Sequence, residues 1–138
     1  MMNTINMQDM RYLNLFSKVT RVSTRICFKY NNNLVFCVPQ NLISRAIGQN
    51  GKNVKEIYAI IGKRVKIIPM PYGIQDAKSF IENIVSPVTF KDIQINENEI
   101  IVDAGSQSKA ALIGRNKRRL LEMQKIVKDF FGREFKII

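Results

Sequence analysis

Apolar residues recur along this chain first at helical spacing, then in alternation, then at helical spacing again, and the series runs through twice. Over residues 5–20, Met10, Leu13, Phe16 and Val19 recur every third position, close to the period of a helix face. The stretch RICFKYNNNLVFCV switches to a period of two. Ile26, Phe28 and Tyr30 alternate with other residues, three asparagines supply a turn, and Leu34, Phe36 and Val38 alternate back. A short helix over about 41–47 is expected next, then a Gly-Gln-Asn-Gly break, then a helix over about 52–61. Gly62 suits the residue that ends such a helix, and the strand KRVKIIP follows until Pro69 and Pro71 stop it.

The second pass opens with DAKSFIENIVSP, a helix with Asp76 as its N-cap and Pro87 just past its end. TFKDIQINENEIIVDA is the next hairpin, in a register the pattern leaves open. A short helix, a Gly-Arg-Asn-Lys break, a helix over about 118–131, Gly132 and the strand REFKII complete it. At an offset of 66, Ile47, Gly48, Asn50, Glu56 and Ile60 fall on Ile113, Gly114, Asn116, Glu122 and Ile126. The offset then becomes 70, and Gly62, Lys66, Ile67 and Ile68 fall on Gly132, Lys136, Ile137 and Ile138. Four extra residues are about one helical turn, which leaves the buried face of a helix nearly unrotated. Upstream, Asn31 and Asn33 fall on Asn96 and Asn98 at an offset of 65. The chain therefore reads as two tandem domains of α-β-β-α-α-β order, residues 1–70 and residues 71–138, in the α+β class. Domains this small are marginal alone, and the linker Met70–Gln75 is short, so the two are expected to pack together.

Charge adds a second layer. The 138 residues hold 22 Lys and Arg against 11 Asp and Glu, a net charge of +11. Folding does not need that surplus; it points to a polyanionic partner, nucleic acid before anionic membrane. Residues 1–70 hold 11 basic and 2 acidic residues, a net of +9, and residues 71–138 hold 11 and 9, a net of +2. No metal site is expected, because histidine is absent and Cys27 and Cys37 stand in no ligand spacing. Those two cysteines could face one another across the hairpin, although a disulfide is not expected in a cytosolic protein. The opening MMNTINMQDMRYLNLF carries no export signal and no apolar run has the length of a membrane span, so a cytoplasmic location is expected.

The two breaks carry the candidate chemistry. Gly48 and Gly51 let the backbone approach a ligand closely, with Gln49 and Asn50 between them. The next helix starts there, so its unpaired N–H groups and positive dipole end favour an anion such as phosphate. Lys52 and Lys55 add full charges on that helix, and Arg45 lies on the approaching one. The alternative is a tight turn between helices with no ligand. The second break, Gly114-Arg115-Asn116-Lys117, lacks the second glycine, which puts close backbone approach there in question. It gathers Arg115, Lys117, Arg118 and Arg119 instead, cations that oppose the helix dipole unless an anion is near. Phosphate gripping by charge rather than by backbone is expected of it, with weak base discrimination.

Ile47-Gly48-Gln49-Asn50-Gly51-Lys52-Asn53-Val54 resembles the Ile-Gly-x-x-Gly-x-x-[Ile/Val] loop of the KH family of single-stranded nucleic-acid-binding domains. The element order resembles the prokaryotic, type II version. That resemblance implies that Gly48 to Gly51 contact a sugar-phosphate chain, the KH loop clamping about four nucleotides. It makes Leu42, Ile43, Ala46 and Val54 candidates for an apolar groove wall, though each is as readily core. The segment DAKSFIENIVSPVTFKDIQI looks like the join between the two KH domains of the NusA-like family of archaeal transcription factors. This implies a factor of transcription elongation, termination or antitermination that holds nascent single-stranded RNA, with RNA polymerase as a further partner. A ribosomal or ribosome-assembly KH protein is the alternative. No cofactor, small-molecule substrate or membrane partner is implied. No enzyme is expected: there is no nucleophile motif and no Walker-type loop.

Overall fold

The computed structural model describes residues 7–138, so residues 5 and 6 of the first expected helix lie outside the described residues. By internal packing the chain divides into two compact units between Met70 and Pro71. The first runs α1 (Met7–Thr20), β1 (Ile26–Tyr30), β2 (Asn33–Val38), α2 (Ile43–Ile47), α3 (Lys52–Ile61) and β3 (Val65–Pro69). The second runs α4 (Ala77–Val85), β4 (Asp92–Ile95), β5 (Glu99–Asp103), α5 (Lys109–Ile113), α6 (Arg118–Phe131) and β6 (Glu134–Ile137). Each unit is thus α+β with a three-stranded sheet, ordered β1-β2-β3 in one and β4-β5-β6 in the other. In both, the first two strands are antiparallel and the last two parallel. A parallel neighbour needs a crossover connection. The helix pair supplies it, and the candidate loop is the corner of that crossover.

Strand register settles the hairpin the pattern left open. Tyr30 pairs with Asn33 around Asn31 and Asn32, while Ile95 pairs with Ile100 and Asn96 N–H donates to Glu99 O at 3.0 Å. Asn31 and Asn32 therefore correspond to Glu97 and Asn98, an offset of 66 rather than the 65 suggested by matching asparagines. The turns also differ in kind. Asn31 and Asn32 are both left-handed (φ 51° and 61°), the geometry of a two-residue primed turn. In the second hairpin the Asn96 side-chain oxygen instead accepts the N–H groups of Asn98 and Glu99, each at 2.8 Å. The four extra residues all fall in the last helix: α3 has 10 residues and α6 has 14.

Core packing follows the pattern in part. Phe16 stacks on Phe36 with ring centroids 4.3 Å apart, and Tyr12, Val22, Cys27, Leu34, Val38, Ala46, Ile57 and Ile67 complete the buried cluster. Met10, expected on the buried stripe of α1, is exposed, and Tyr12 is in the core instead. On β1 the helix-facing residue is Cys27, which pairs with Phe36; Ile26, Phe28 and Tyr30 lie on the opposite face. Phe28, Tyr30, Val35 and Cys37 are nonetheless buried, so β2 reads as an unbroken apolar run rather than an alternation. In the second unit Phe80 of α4 packs on Phe130 and Phe131 of α6, at 4.7 and 5.8 Å. Ile126 is buried where its sequence match Ile60 is exposed, because α6 continues over the core one turn further than α3. Asp76 occupies the residue before α4, yet its side chain caps no helix amide; it accepts the Tyr72 N–H at 2.9 Å. Among the described residues no helix is long and apolar enough to cross a membrane.

The cysteines do not face one another. Cys27 pairs with Phe36 and Cys37 with Ile26, so their side chains leave opposite faces of the sheet, and both thiols are free and buried. Burial pushes the Cys27 thiol up to about 12, helped by Asp9, and pushes that of Cys37 up as well. The thiolate is the reactive form. Thiol-reactive dye at neutral pH is expected to label neither cysteine in the native protein and both in denaturant. Rapid labelling of the native protein would contradict this packing.

Candidate nucleic-acid interface

At the first corner α2 ends on Gly48, which takes φ 80° and ψ 165°, backbone angles open only to glycine. A Cβ there would lie 3.0 Å from the Asn53 side chain. That side chain is fixed: Asn53 Nδ2 donates to Ala46 O at 3.0 Å and Arg45 O at 3.3 Å, closing the carbonyl end of α2 from the start of α3. Asn50 is left-handed (φ 57°, ψ 28°), which asparagine tolerates better than most residues, and Gly51 follows at φ 71°, ψ 22°. Nothing lies within 4 Å of the position a Gly51 Cβ would take, so the space beside the backbone is open at that point.

The amides are partly engaged. Gly48 N–H donates to Ser44 O at 3.0 Å, Gly51 N–H to Gly48 O at 3.1 Å, and Lys52 N–H to Gln49 O. The N–H groups of Gln49 and Asn50 find no acceptor within the corner, which leaves them for a ligand. Both residues are exposed, as are Arg45, Lys52 and Lys55. The apolar candidates divide: Ala46 is fully buried core, while Leu42, Ile43 and Val54 are half-buried and pack on it.

The second corner repeats this backbone closely. Gly114 has φ 77° and ψ 169°, Asn116 φ 57° and ψ 28°, and Lys117 φ 60° and ψ 22°. Missing the second glycine does not change the path of the chain. Lys117 adopts the left-handed conformation at a cost of roughly 1–2 kcal/mol. Gly114 N–H donates to Ala110 O, Lys117 N–H to Gly114 O and Arg118 N–H to Arg115 O, the same pattern as before. The chain thus keeps the glycine path with a lysine side chain standing at that point. Arg119 takes the place of Asn53: its guanidinium donates to Ala111 O at 2.8 Å and is half-buried. It closes the carbonyl end of α5 and answers that helix end's negative dipole. Arg115, Asn116, Lys117 and Arg118 remain exposed.

Asn53 and its counterpart Arg119 are the residues that sequence reasoning missed or assigned to charge alone. Their shared position, five residues after the first glycine of each break, was the available signal. The units also differ in how their charge is balanced. In the second, Glu134 pairs with Lys128 at 3.5 Å and Glu99 with Lys136 at 3.0 Å. The first has only Asp9 and Glu56 to set against its 11 cations.

No family model matches the chain. It is similar to three archaeal proteins, each called "Probable transcription termination protein NusA". It is 30% identical to that of Methanococcus vannielii over 100 residues, covering 71% of this chain and 56% of that protein. Identity to that of Methanocaldococcus jannaschii is 25% over 125 residues, 88% of this chain and 67% of that protein. The Thermoplasma acidophilum protein is 20% identical over 138 residues, 97% of this chain and 91% of its own length. The chain thus spans little more than half of the first of these relatives. The crystal structure of APE1850 matches with a TM-score of 0.68 at 24% identity, over 97% of this chain and 99% of that one, a likeness of fold.

Proposed function

We propose that this chain is a single-stranded RNA-binding protein built from two type II KH domains, residues 1–70 and 71–138. It acts without catalysis as a transcription elongation, termination or antitermination factor that holds nascent RNA. The observation carrying this reading is the recurrence of one unusual backbone, with glycine-only angles followed by two left-handed residues, at two exposed corners ringed by cations. A turn that merely joined helices would not need to offer a bare chain, two outward amides and several uncompensated charges together. The name borne by the archaeal relatives supports transcription over ribosome assembly.

Each corner would take a phosphodiester through its two outward amides. Lys52 and Lys55 at the first corner, and Arg115, Lys117 and Arg118 at the second, supply the longer-range attraction. Two such modules on one chain raise affinity through effective concentration, not through new contacts. RNA polymerase is the proposed protein partner, and the cytoplasm the proposed location. Fluorescence anisotropy with a labelled RNA of about twelve nucleotides tests the reading. Single strands should bind more tightly than the matched duplex, with log affinity falling against log salt by about 0.7 per phosphate contact. Equal affinity for duplex and single strand, or none for either, would overturn it. Recovery of RNA polymerase rather than ribosomal particles by the tagged chain separates transcription from ribosome assembly.

A further inference from the structure

We infer that Lys18, Arg21 and Arg25, at the far end of α1, form a second phosphate-contacting surface that extends the first corner's RNA path. The inference rests on the RNA-binding reading above. Topology brings these residues to that end of the sheet. Thr24, between α1 and β1, donates its hydroxyl to Cys37 O near the end of β2. Ile26, at the start of β1, also pairs with Cys37. The chain leaves β2 at Val38 for α2, and α3 must carry it back to Val65, which pairs with Leu34 at the opposite end. The corner before α3 therefore lies toward the end where α1 finishes. At the other end Lys63, just past α3, sits over the ring of Tyr12, 5.9 Å from its centroid. Helices α1 and α3 thus run antiparallel, with the Gly48–Gly51 corner and the Lys18–Arg25 segment at the same end.

Three observations set this segment apart from ordinary surface charge. Lys18, Arg21 and Arg25 are all exposed, and none has an ion-pair partner among the described residues. Arg21 is left-handed at φ 62°, its N–H donating to Ser17 O at 2.9 Å. This is the position after a helix where glycine is the favoured residue, so arginine there runs against local preference. The second unit keeps only Lys91, the counterpart of Arg25, since α4 carries no basic residue in its last turn and is followed by Ser86, Pro87 and Val88. A favourable interaction with the α1 dipole accounts for a cation at Lys18, but not for a strained one at Arg21.

The test compares the wild type, Arg21→Gly, and the triple variant Lys18→Gln/Arg21→Gly/Arg25→Gln on single-stranded RNAs of six and twelve nucleotides. Arg21→Gly should leave the melting temperature unchanged or raised, since it relieves a left-handed arginine, yet weaken binding of the twelve-mer. The triple variant should lose on the order of tenfold in affinity for the twelve-mer, with the salt slope shallower by about 2. Its affinity for the hexamer should stay close to the wild-type value. Wild-type binding of the twelve-mer by the triple variant, at an unchanged salt slope, overturns the inference while leaving the corner reading intact. A wild-type protein that binds neither RNA overturns both.

Discussion

Replacing Gln49 and Asn50 together by aspartate is expected to weaken single-stranded RNA binding on the order of a hundredfold without unfolding the protein. Two carboxylates would then stand at two residues whose amides find no acceptor within the first corner. A like charge set against a desolvated phosphate costs several kcal/mol, and about 1.4 kcal/mol is tenfold in affinity. The fold should tolerate the change. Both side chains are exposed, neither holds a neighbouring element, and aspartate shares asparagine's tolerance of the left-handed angles found at position 50. Anisotropy with the twelve-mer, beside a thermal melt, separates loss of contact from loss of structure. Undiminished affinity in a folded double variant would remove the corner from the mechanism.

The second large effect concerns stability and explains how a corner can lose one glycine but not the other. Gly48→Ala should destabilise by about 1–3 kcal/mol, because its angles lie where only glycine sits. The new Cβ would also meet the Asn53 side chain at 3.0 Å, on the group that closes α2. Gly114→Ala should behave alike, with a Cβ placed 2.8 Å from Arg119 Cγ and 3.1 Å from the Arg119 backbone nitrogen. Gly51 is in a different position, since its left-handed angles are strained for other residues but its Cβ site is open. Lys117 shows that a side chain fits there, and Lys117→Gly should stabilise the fold by roughly 1–2 kcal/mol, the strain it relieves. Denaturant titrations of the four variants test this ordering. A Gly51→Ala variant as damaging as Gly48→Ala would contradict it.

Much of this architecture was legible in the sequence because each element carries its own local signal. The helices Lys52–Ile61 and Arg118–Phe131 stand where apolar spacing and the glycines after them put them. The offset change from 66 to 70 is realised as the longer α6. What periodicity missed depends on tertiary context. Alternation along β1 did not say which of its faces packs on the helices, because β2 is buried on both sides. It matched asparagines between two hairpins whose turns use them differently, one through backbone angle and the other through a side-chain oxygen. At the candidate site, the cationic run Arg115–Arg119 was visible, but not that Arg119 reaches back to a carbonyl of α5. Nor could residue identity show that a lysine would hold glycine-like angles at position 117. A missing glycine suggests a lost conformation, yet the corner's hydrogen bonds impose that conformation on whatever residue stands there.

The amide nitrogen–proton NMR spectrum of the protein, titrated with single-stranded RNA, tests the central claim most directly. Gln49 and Asn50 should move furthest in the first unit and Arg115 and Asn116 furthest in the second, as their N–H groups meet phosphate. Amides of the sheet strands shifting while these four stay still would contradict it.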